Sequence, residues 1–319
     1  MASSEQSYVP AELRAEISKL KLPPLIHRDF VEICSDTGDV VRVMQWNILA
    51  HGLSGGADNF IKCPKEALEL ESRKLRVLEE VTRYRPTVMC LEEVDFYEYL
   101  FDNLSKLGYA GIFSPKPDSP CLYQNDNIGP DGSAIFYDTS KLVLSKSDSI
   151  ILKEDGYQSN HVTIIAQFQT KTDDPKMFYV GVTHLKAKRG YEGKRKLQGE
   201  FLSNYLQENC NDAPVIYCGD FNAEPIEPVY SVMKSCAIGL SSAYTVLSGN
   251  NTEPKYTTWK IRPKGEECHT IDYIWYSNKG LKVKSVLDVA SEEEIGKNRL
   301  PSFKYPSDHL SLVCDFLVL

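Results

Sequence analysis

Short apolar, β-branched runs recur along the chain, and most stop at an amide, an acid or a histidine. The first, "VVRVMQW" (Val40–Trp46), reads as a buried strand that ends at Asn47. "TVMCLEEV" (Thr87–Val94) is the next. "SAIFYD", "VTIIAQFQ", "MFYVGVTH", "PVIYCGD", "TIDYIWYS", "LKVKSVLDV" and "LSLVCDFLVL" follow as strands. Helical spacing appears between them. "PKEALELESRKLRVLEEVTRY" opens with Pro64 and puts Leu68, Leu75, Leu78 and Val81 on one face. "FYEYLFDNLSKLG" predicts a helix closed by Gly108. Glu192 to Glu208 predicts another, with Leu197, Phe201, Tyr205 and Leu206 facing inward, and "PIEPVYSVM" a short one. Residues 50–63 and 113–133 lack either period. The second stretch is a long Pro-, Asp- and Asn-rich loop, of a length that often carries function.

Strands outnumber helices, and many neighbours can pair antiparallel. That pattern suits an α/β (α+β) fold of two packed mixed sheets with helices outside, rather than a parallel doubly wound sheet. GxGxxG and GxxxxGK[ST] are absent, so dinucleotide-fold and P-loop readings have little support. Residues 1–38 read as a peripheral N-terminal segment, in which "AELRAEISKL" forms a short helix that "LPPLI" breaks. Residues 39–319 read as a single domain.

A length of 319 residues supports a sizeable core, and 42% hydrophobic with 25% charged residues is ordinary for a globular protein. The net charge of −8 argues against a broad basic surface for extended nucleic acid. The nine cysteines include no CxxC pair and several lie in apolar runs, so reduced, buried thiols are expected. The six histidines lack HxxxH or HxH spacing, which disfavours a zinc site. No apolar run reaches the roughly 18 residues of a membrane span. The first residues show neither a secretory signal nor a transit peptide. A cytoplasmic location is expected; a mitochondrial form would require a trimmed leader or another isoform.

The strand ends carry the candidate chemistry. They present Asn47, Glu92 and Glu93, His184 with Lys186, Asp220 with Asn222, Asp272, and Asp308 with His309. Each alone is explained by a turn, a cap or a structural histidine. Six such segments together point further, because carboxylates are rarely buried without a partner. The set fits hydrolysis of a phosphate ester aided by a hard cation: Mg²⁺ takes a few carboxylates, waters and phosphate oxygens. A phosphoryl transition state needs a cation, several donors and a positioned base. No GxSxG signals a serine nucleophile.

"MQWNILA", "LEEVD", "THLKA", "GDFNAEP", "TIDYIWYS" and "YPSDHLSL" resemble, in order, the motifs of the endonuclease/exonuclease/phosphatase superfamily, from about residue 41 to 316. The resemblance implies a four-layer αββα sandwich with the site at one edge of both sheets. It implies that Glu93 is a direct Mg²⁺ ligand (Mn²⁺ able to substitute), with Asn47 beside metal and phosphate and Asp308 on the metal side. Asp220 would orient or deprotonate the attacking water. Asn222 would donate to the phosphoryl group, His309 would contact it, and Asp272 would orient His309. His184 and Lys186 would be a phosphate-contacting pair. "EPKYTTWKIR" and "NRLPSFKYPSDHLSLVCDF" resemble a branch related to the Ccr4-type deadenylases, for which removal of the 2′-phosphate of NADP⁺ and NADPH is implied. Arg262 matches a substrate-contacting arginine of that branch. Lys188 stands where the branch has arginine, which keeps the charge without the bidentate fork. Lys188 as a point charge and Arg189 as its substitute both stay open. Lys116, in the long loop, is a further substrate-binding candidate. A monomer acting on a small molecule, with no membrane, is expected. The other reading is a 3′-exonuclease that shortens poly(A). Tyr256 and Trp259 stand as either adenine-stacking or wall residues.

Overall fold

The computed structural model describes residues 9–55, 59–210 and 213–319. Its strands are β1 (Phe30–Glu32), β2 (Val40–Asn47), β3 (Val88–Glu92), β4 (Tyr109–Pro115), β5 (Gly132–Asp138), β6 (Leu142–Glu154), β7 (Tyr157–Thr170) and β8 (Met177–His184). They continue as β9 (Val215–Asp220), β10 (Leu240–Ser242), β11 (Thr258–Arg262), β12 (Gly265–His269), β13 (Asp272–Ser277), β14 (Leu281–Leu287) and β15 (Leu312–Val318). Helices are α1 (Ala11–Lys19), α2 (His51–Ser54), α3 (Leu70–Arg83), α4 (Tyr97–Leu104), α5 (Glu192–Asn209), α6 (Pro228–Lys234) and α7 (Glu292–Ile295).

Two large sheets form, in the orders β1-β14-β15-β2-β3-β5-β4 and β10-β13-β9-β8-β7-β6, with β11 and β12 as a separate hairpin. Among the described residues, β2–β3 and β8–β9 are the parallel pairs within them. Parallel neighbours need a long crossover, and α3 and α5 supply one each. Three apolar layers hold the molecule together. The middle layer joins the two sheets through side chains such as Val43, Cys90, Val182, Cys218 and Cys314. One outer layer packs Met44, Trp46 and Leu91 against Val77, Val81 and Leu100 of α3 and α4. The other packs Tyr217 and Trp275 against Leu202, Leu206, Val229 and Met233 of α5 and α6. The result is the expected four-layer αββα sandwich of two mixed sheets flanked by helices.

Several local expectations are corrected. The helix after Pro64 splits: residues Lys65–Leu68 are a 3₁₀ turn, and Glu69 is extended before α3 begins. Leu75 is only half-buried, while Arg73, Arg76 and Glu80 turn inward with Leu78 and Val81. The inner face of α5 is Arg195, Gln198, Gly199, Leu202 and Leu206; Leu197, Phe201 and Tyr205 sit at its margin. Gly199 sets this rotation, since a Cβ there would lie 2.6 Å from Val229 Cγ2 and hold α6 away. Gly108 does close its segment, at φ +88° after a 3₁₀ turn. The 113–133 loop is shorter than read, because β4 extends to Pro115, Pro120–Tyr123 is a 3₁₀ turn and β5 starts at Gly132.

The N-terminal segment divides. Helix α1 buries none of its residues, whereas Leu25, Ile26 and Arg28 are buried and β1 pairs with β14. Arg28 donates to Glu80 Oε1 at 2.8 Å and to the Ser311 carbonyl at 2.7 Å, tying this segment to α3 and the approach to β15. Residues 1–8, and residues 56–58 of the irregular 50–63 stretch, lie outside the described residues. Among the described residues, no helix is long and apolar enough to cross a membrane.

Candidate active site

The two parallel pairs end side by side, and their register decides which side chains meet. Asn47 is the partner of Glu92 across β2 and β3. His184 is the partner of Asp220 across β8 and β9, and Asp272 at the start of antiparallel β13 lies opposite Asp220. Polar groups of both sheets therefore converge on one edge of the sandwich. Just beyond the strands, Glu93 (φ +55°) and Asn222 (φ +50°) adopt the left-handed conformation, which non-glycine residues rarely occupy. Each kink turns the chain so that the side chain folds back over its strand end.

Asn47 joins the two sheets. Its Nδ2 donates to Glu93 Oε1 and to Asp220 Oδ2, each at 3.0 Å, and its Oδ1 accepts from the Leu49 amide at 3.0 Å. Glu93 is further fixed by the Ala50 amide on Oε2 at 3.1 Å. Asp220 Oδ1 accepts from the Asn222 amide at 2.8 Å, and its Oδ2 lies 3.6 Å from His184 Nε2. Burial, together with Asp272 close by, pushes the Asp220 carboxyl up to about 7. Asn222 Nδ2 meets His184 Nε2 at 2.9 Å and donates to the Leu185 carbonyl at 3.1 Å. Burial, aided by Lys116, drives the His184 pKa well below the ordinary histidine value, so its ring is neutral.

The second histidine is the opposite case. His309 Nδ1 lies 2.9 Å from Asp272 Oδ2 and 3.1 Å from Oδ1. Asp272 is itself held by Thr257 Oγ1 at 2.6 Å and Gln45 Nε2 at 3.2 Å. Burial opposes a charge on His309, but Asp272, Asp308 and Asp220 outweigh it and raise the imidazole to about 9. His309 is an imidazolium at neutral pH, with Nε2 3.8 Å from Asp220 Oδ2. Behind it, Gln45 Nε2 also donates to Glu92 Oε2 at 2.9 Å. Glu92 is fully buried and, through burial and the nearby Asp272 and Asp220, its pKa stands well above the usual carboxylate range.

Asp308 is occupied by cations. Lys260 Nζ lies 2.5 Å from its Oδ2, Arg262 Nη2 at 3.8 Å and His309 Nε2 at 3.7 Å. Burial works against its charge, yet Lys260, His309 and Arg262 hold the carboxyl well below its ordinary value. Arg262 also donates to Asn59 Oδ1 at 3.2 Å and stacks over Phe60. Lys116 pairs with buried Asp131 at 2.6 Å. Burial lowers its pKa, but Asp131 and Glu93 more than compensate, which places the ammonium within the field of Glu93. Lys186 is half-buried and stands over Tyr191. Lys188 is exposed on a left-handed turn (φ +81°), with Arg189 exposed beside it. Tyr256 and Trp259 are 8% and 6% exposed and belong to the outer core, so they are wall residues.

The donor set fits a hard divalent cation. Glu93 Oε1 and Asp220 Oδ2 converge on the Asn47 amide nitrogen, so carboxylate oxygens of both sheets meet at one point of the cleft, with no thiolate among them. Asp220, Asp272 and His309 also bring donor atoms within 4.8 Å of one another, but Asp272 and His309 are already committed to each other. Sequence reasoning misses Lys260, Gln45, Thr257 and Asp131. Lys260 carried a signal, since it stands two residues before Arg262 and a strand puts both on one face. Thr258 completes that face, its Oγ1 donating to the Asp308 carbonyl at 2.7 Å.

The chain is similar to known proteins. A model of the Endonuclease/Exonuclease/phosphatase family matches residues 44–309. Nocturnin of Homo sapiens is 51% identical over 301 residues, spanning 92% of this chain and 70% of that one. The CCR4-Not complex 3′-5′-exoribonuclease subunit Ccr4 of Debaryomyces hansenii is 25% identical over 89% of this chain and 40% of its own. A solved human Nocturnin catalytic domain with bound sulfate anion superposes with a TM-score of 0.79 at 43% identity, covering 93% of this chain and all of that domain. The chain thus belongs to the endonuclease/exonuclease/phosphatase family of hydrolases, on its nocturnin branch.

Proposed function

We propose that the protein is a divalent-cation-dependent phosphatase that removes the 2′-phosphate from NADP⁺ and NADPH. The observation that carries this reading is the buried constellation around Asp220, flanked by imidazolium His309 on one side and neutral His184 with Lys186 on the other. Such a site supplies a base near neutrality and several fixed donors to a compact anion, which a phosphomonoester offers. Bound at Glu93 and Asn47, Mg²⁺ or Mn²⁺ would supply charge neutralisation at the phosphate. Asp220 takes the proton of the attacking water. Asn222, His184, Lys186 and His309 hold the phosphoryl oxygens, and Asp272 keeps His309 charged. Lys116, Lys188 and Arg262 reach the remainder of the substrate. The water oxygen bonds to phosphorus as the bond to the ribose oxygen breaks; the ribose oxygen takes a proton from solvent and Asp220 later returns its own to solvent, leaving a 2′-hydroxyl and inorganic phosphate.

The exonuclease reading draws on the Ccr4 relative, which is only 25% identical. Two observations favour the small molecule. The net charge is −8, a poor match to a polyanion. Tyr256 and Trp259, the aromatics weighed from the sequence as adenine-stacking residues, are buried and cannot stack successive bases. A paired assay on the purified protein decides. One arm measures phosphate release from NADP⁺ and NADPH, the other shortening of labelled poly(A). Release from the dinucleotides is expected; shortened RNA without dinucleotide turnover would reverse the reading.

A further inference from the structure

The position of Lys260 changes which acids are free to hold a metal. Strand β11 alternates its side chains, so Thr258, Lys260 and Arg262 share one face, and all three meet Asp308. The hairpin is fixed there through its backbone: the Trp259 amide donates to the Asp308 carbonyl at 3.4 Å, and the Leu310 amide to the Thr257 carbonyl at 2.7 Å. Asp308 and Lys260 are 3% and 7% exposed, so their ion pair is nearly dry. An ammonium buried to that degree needs its carboxylate, because an unpaired buried charge is strongly destabilising. A divalent ion on the same carboxylate would sit against Lys260, Arg262 and His309 together. Glu93, in contrast, accepts hydrogen bonds among the described residues from neutral donors, the Asn47 amide and the Ala50 N–H.

We propose that Lys260 is a built-in cation that removes Asp308 from the metal-ligand set, so that the centre takes a single divalent ion, on the Glu93–Asn47 side. This rests on the divalent-cation reading above and sharpens it. Lys260 acts on two fronts. It satisfies Asp308 without a metal, and with Arg262 it places two cations beside that one carboxylate. It is a compact point charge on a flexible stem, suited to standing where a small ion would stand.

The test is the stoichiometry of Mn²⁺ binding to the full chain, stripped with chelator and titrated by calorimetry, so activity is not the readout. Wild type binds one equivalent. Lys260→Met leaves Asp308 free and gains a second, weaker equivalent. The double variant Lys260→Met/Asp308→Asn replaces the pair by neutral groups and returns to one equivalent, with a dissociation constant within about threefold of wild type. If Lys260→Met does not fold, the double variant decides, since it leaves no charge unpaired. Two equivalents in wild type would overturn the proposal. So would an unchanged Lys260→Met, or a tenfold weaker double variant, which would make Asp308 a ligand. Absence of any Mn²⁺ binding in wild type would instead remove the divalent-cation reading on which the proposal stands.

Discussion

Glu93 and His309 are single residues with separable jobs. Glu93 reaches the cleft from a left-handed turn and accepts from the Asn47 amide and the Ala50 N–H; Lys116, which lies in its field, keeps its own pair with Asp131 when Glu93 is truncated. Glu93→Ala is expected to lower phosphate release by at least about a hundredfold, as loss of electrostatic stabilisation does, with an unchanged thermal midpoint. Full activity in Mg²⁺ would sink the assignment. For His309 the expectation concerns pH. Its folded pKa, about 9, lies above the unfolded value. The stability it contributes is therefore complete below about pH 6.5 and is lost as pH rises through about 9, on the order of 3 kcal/mol in full. Urea midpoints in chelator should fall between pH 7 and pH 10. Asp272→Asn removes the largest charge holding the imidazolium, so that fall should move to lower pH. A midpoint flat over this range would show that His309 is not charged.

At the scale of elements, the loop from Lys116 to Asp131 and the strand β9 each control a side chain of the site. The loop closes on itself through the Lys116–Asp131 pair and the Lys116 amide on the Asp131 carbonyl. Asn160 of β7 clamps it by bonding both the amide and the carbonyl of Asp118. Asp131→Asn should loosen the ammonium without touching Asp220, so KM for NADP⁺ rises several-fold while kcat stays near wild type. In a Lys116→Ala background the same change should have no further effect. In β9, a Cβ on Gly219 would lie 2.4 Å from the Thr183 carbonyl oxygen. Gly219→Ala must push β9 from β8, at about 1–3 kcal/mol of stability. It should also lower kcat by displacing Asp220, checked by denaturation and turnover on one preparation. The same elements show what a sequence discloses. The strand ends were legible because an apolar run that stops on Asn47, His184 or Asp220 is a local pattern. The β11–β12 hairpin was not, since "TWKIR" and "GEECH" are short and polar and gain their meaning only against Asp308. Nor was β6, a 13-residue edge strand whose outward polar positions mask its period. Gln45 lies inside an apolar strand, and nothing local shows that it bonds across the interface to Asp272.

At the scale of the molecule, the acidic surface and the cationic face of the site divide labour. Lys116, Lys186, Lys260 and Arg262 gather at one edge of a chain whose net charge is −8. Rising salt should therefore weaken binding of an anionic substrate through that local cluster, while leaving kcat unaltered. Cohesion comes from elsewhere, since the face between the sheets is almost wholly apolar. It is crossed near the site by polar bonds, Asn47 to Asp220 and Gln45 to Asp272. Each sheet thus owns half of the chemistry, and neither half is competent until the two faces have docked. Catalysis becomes a reporter of that docking. A state that keeps its helices and strands but lets the sheets slide apart would look folded by its backbone signal and be silent as an enzyme. Turnover, followed during heating, should vanish before secondary structure does.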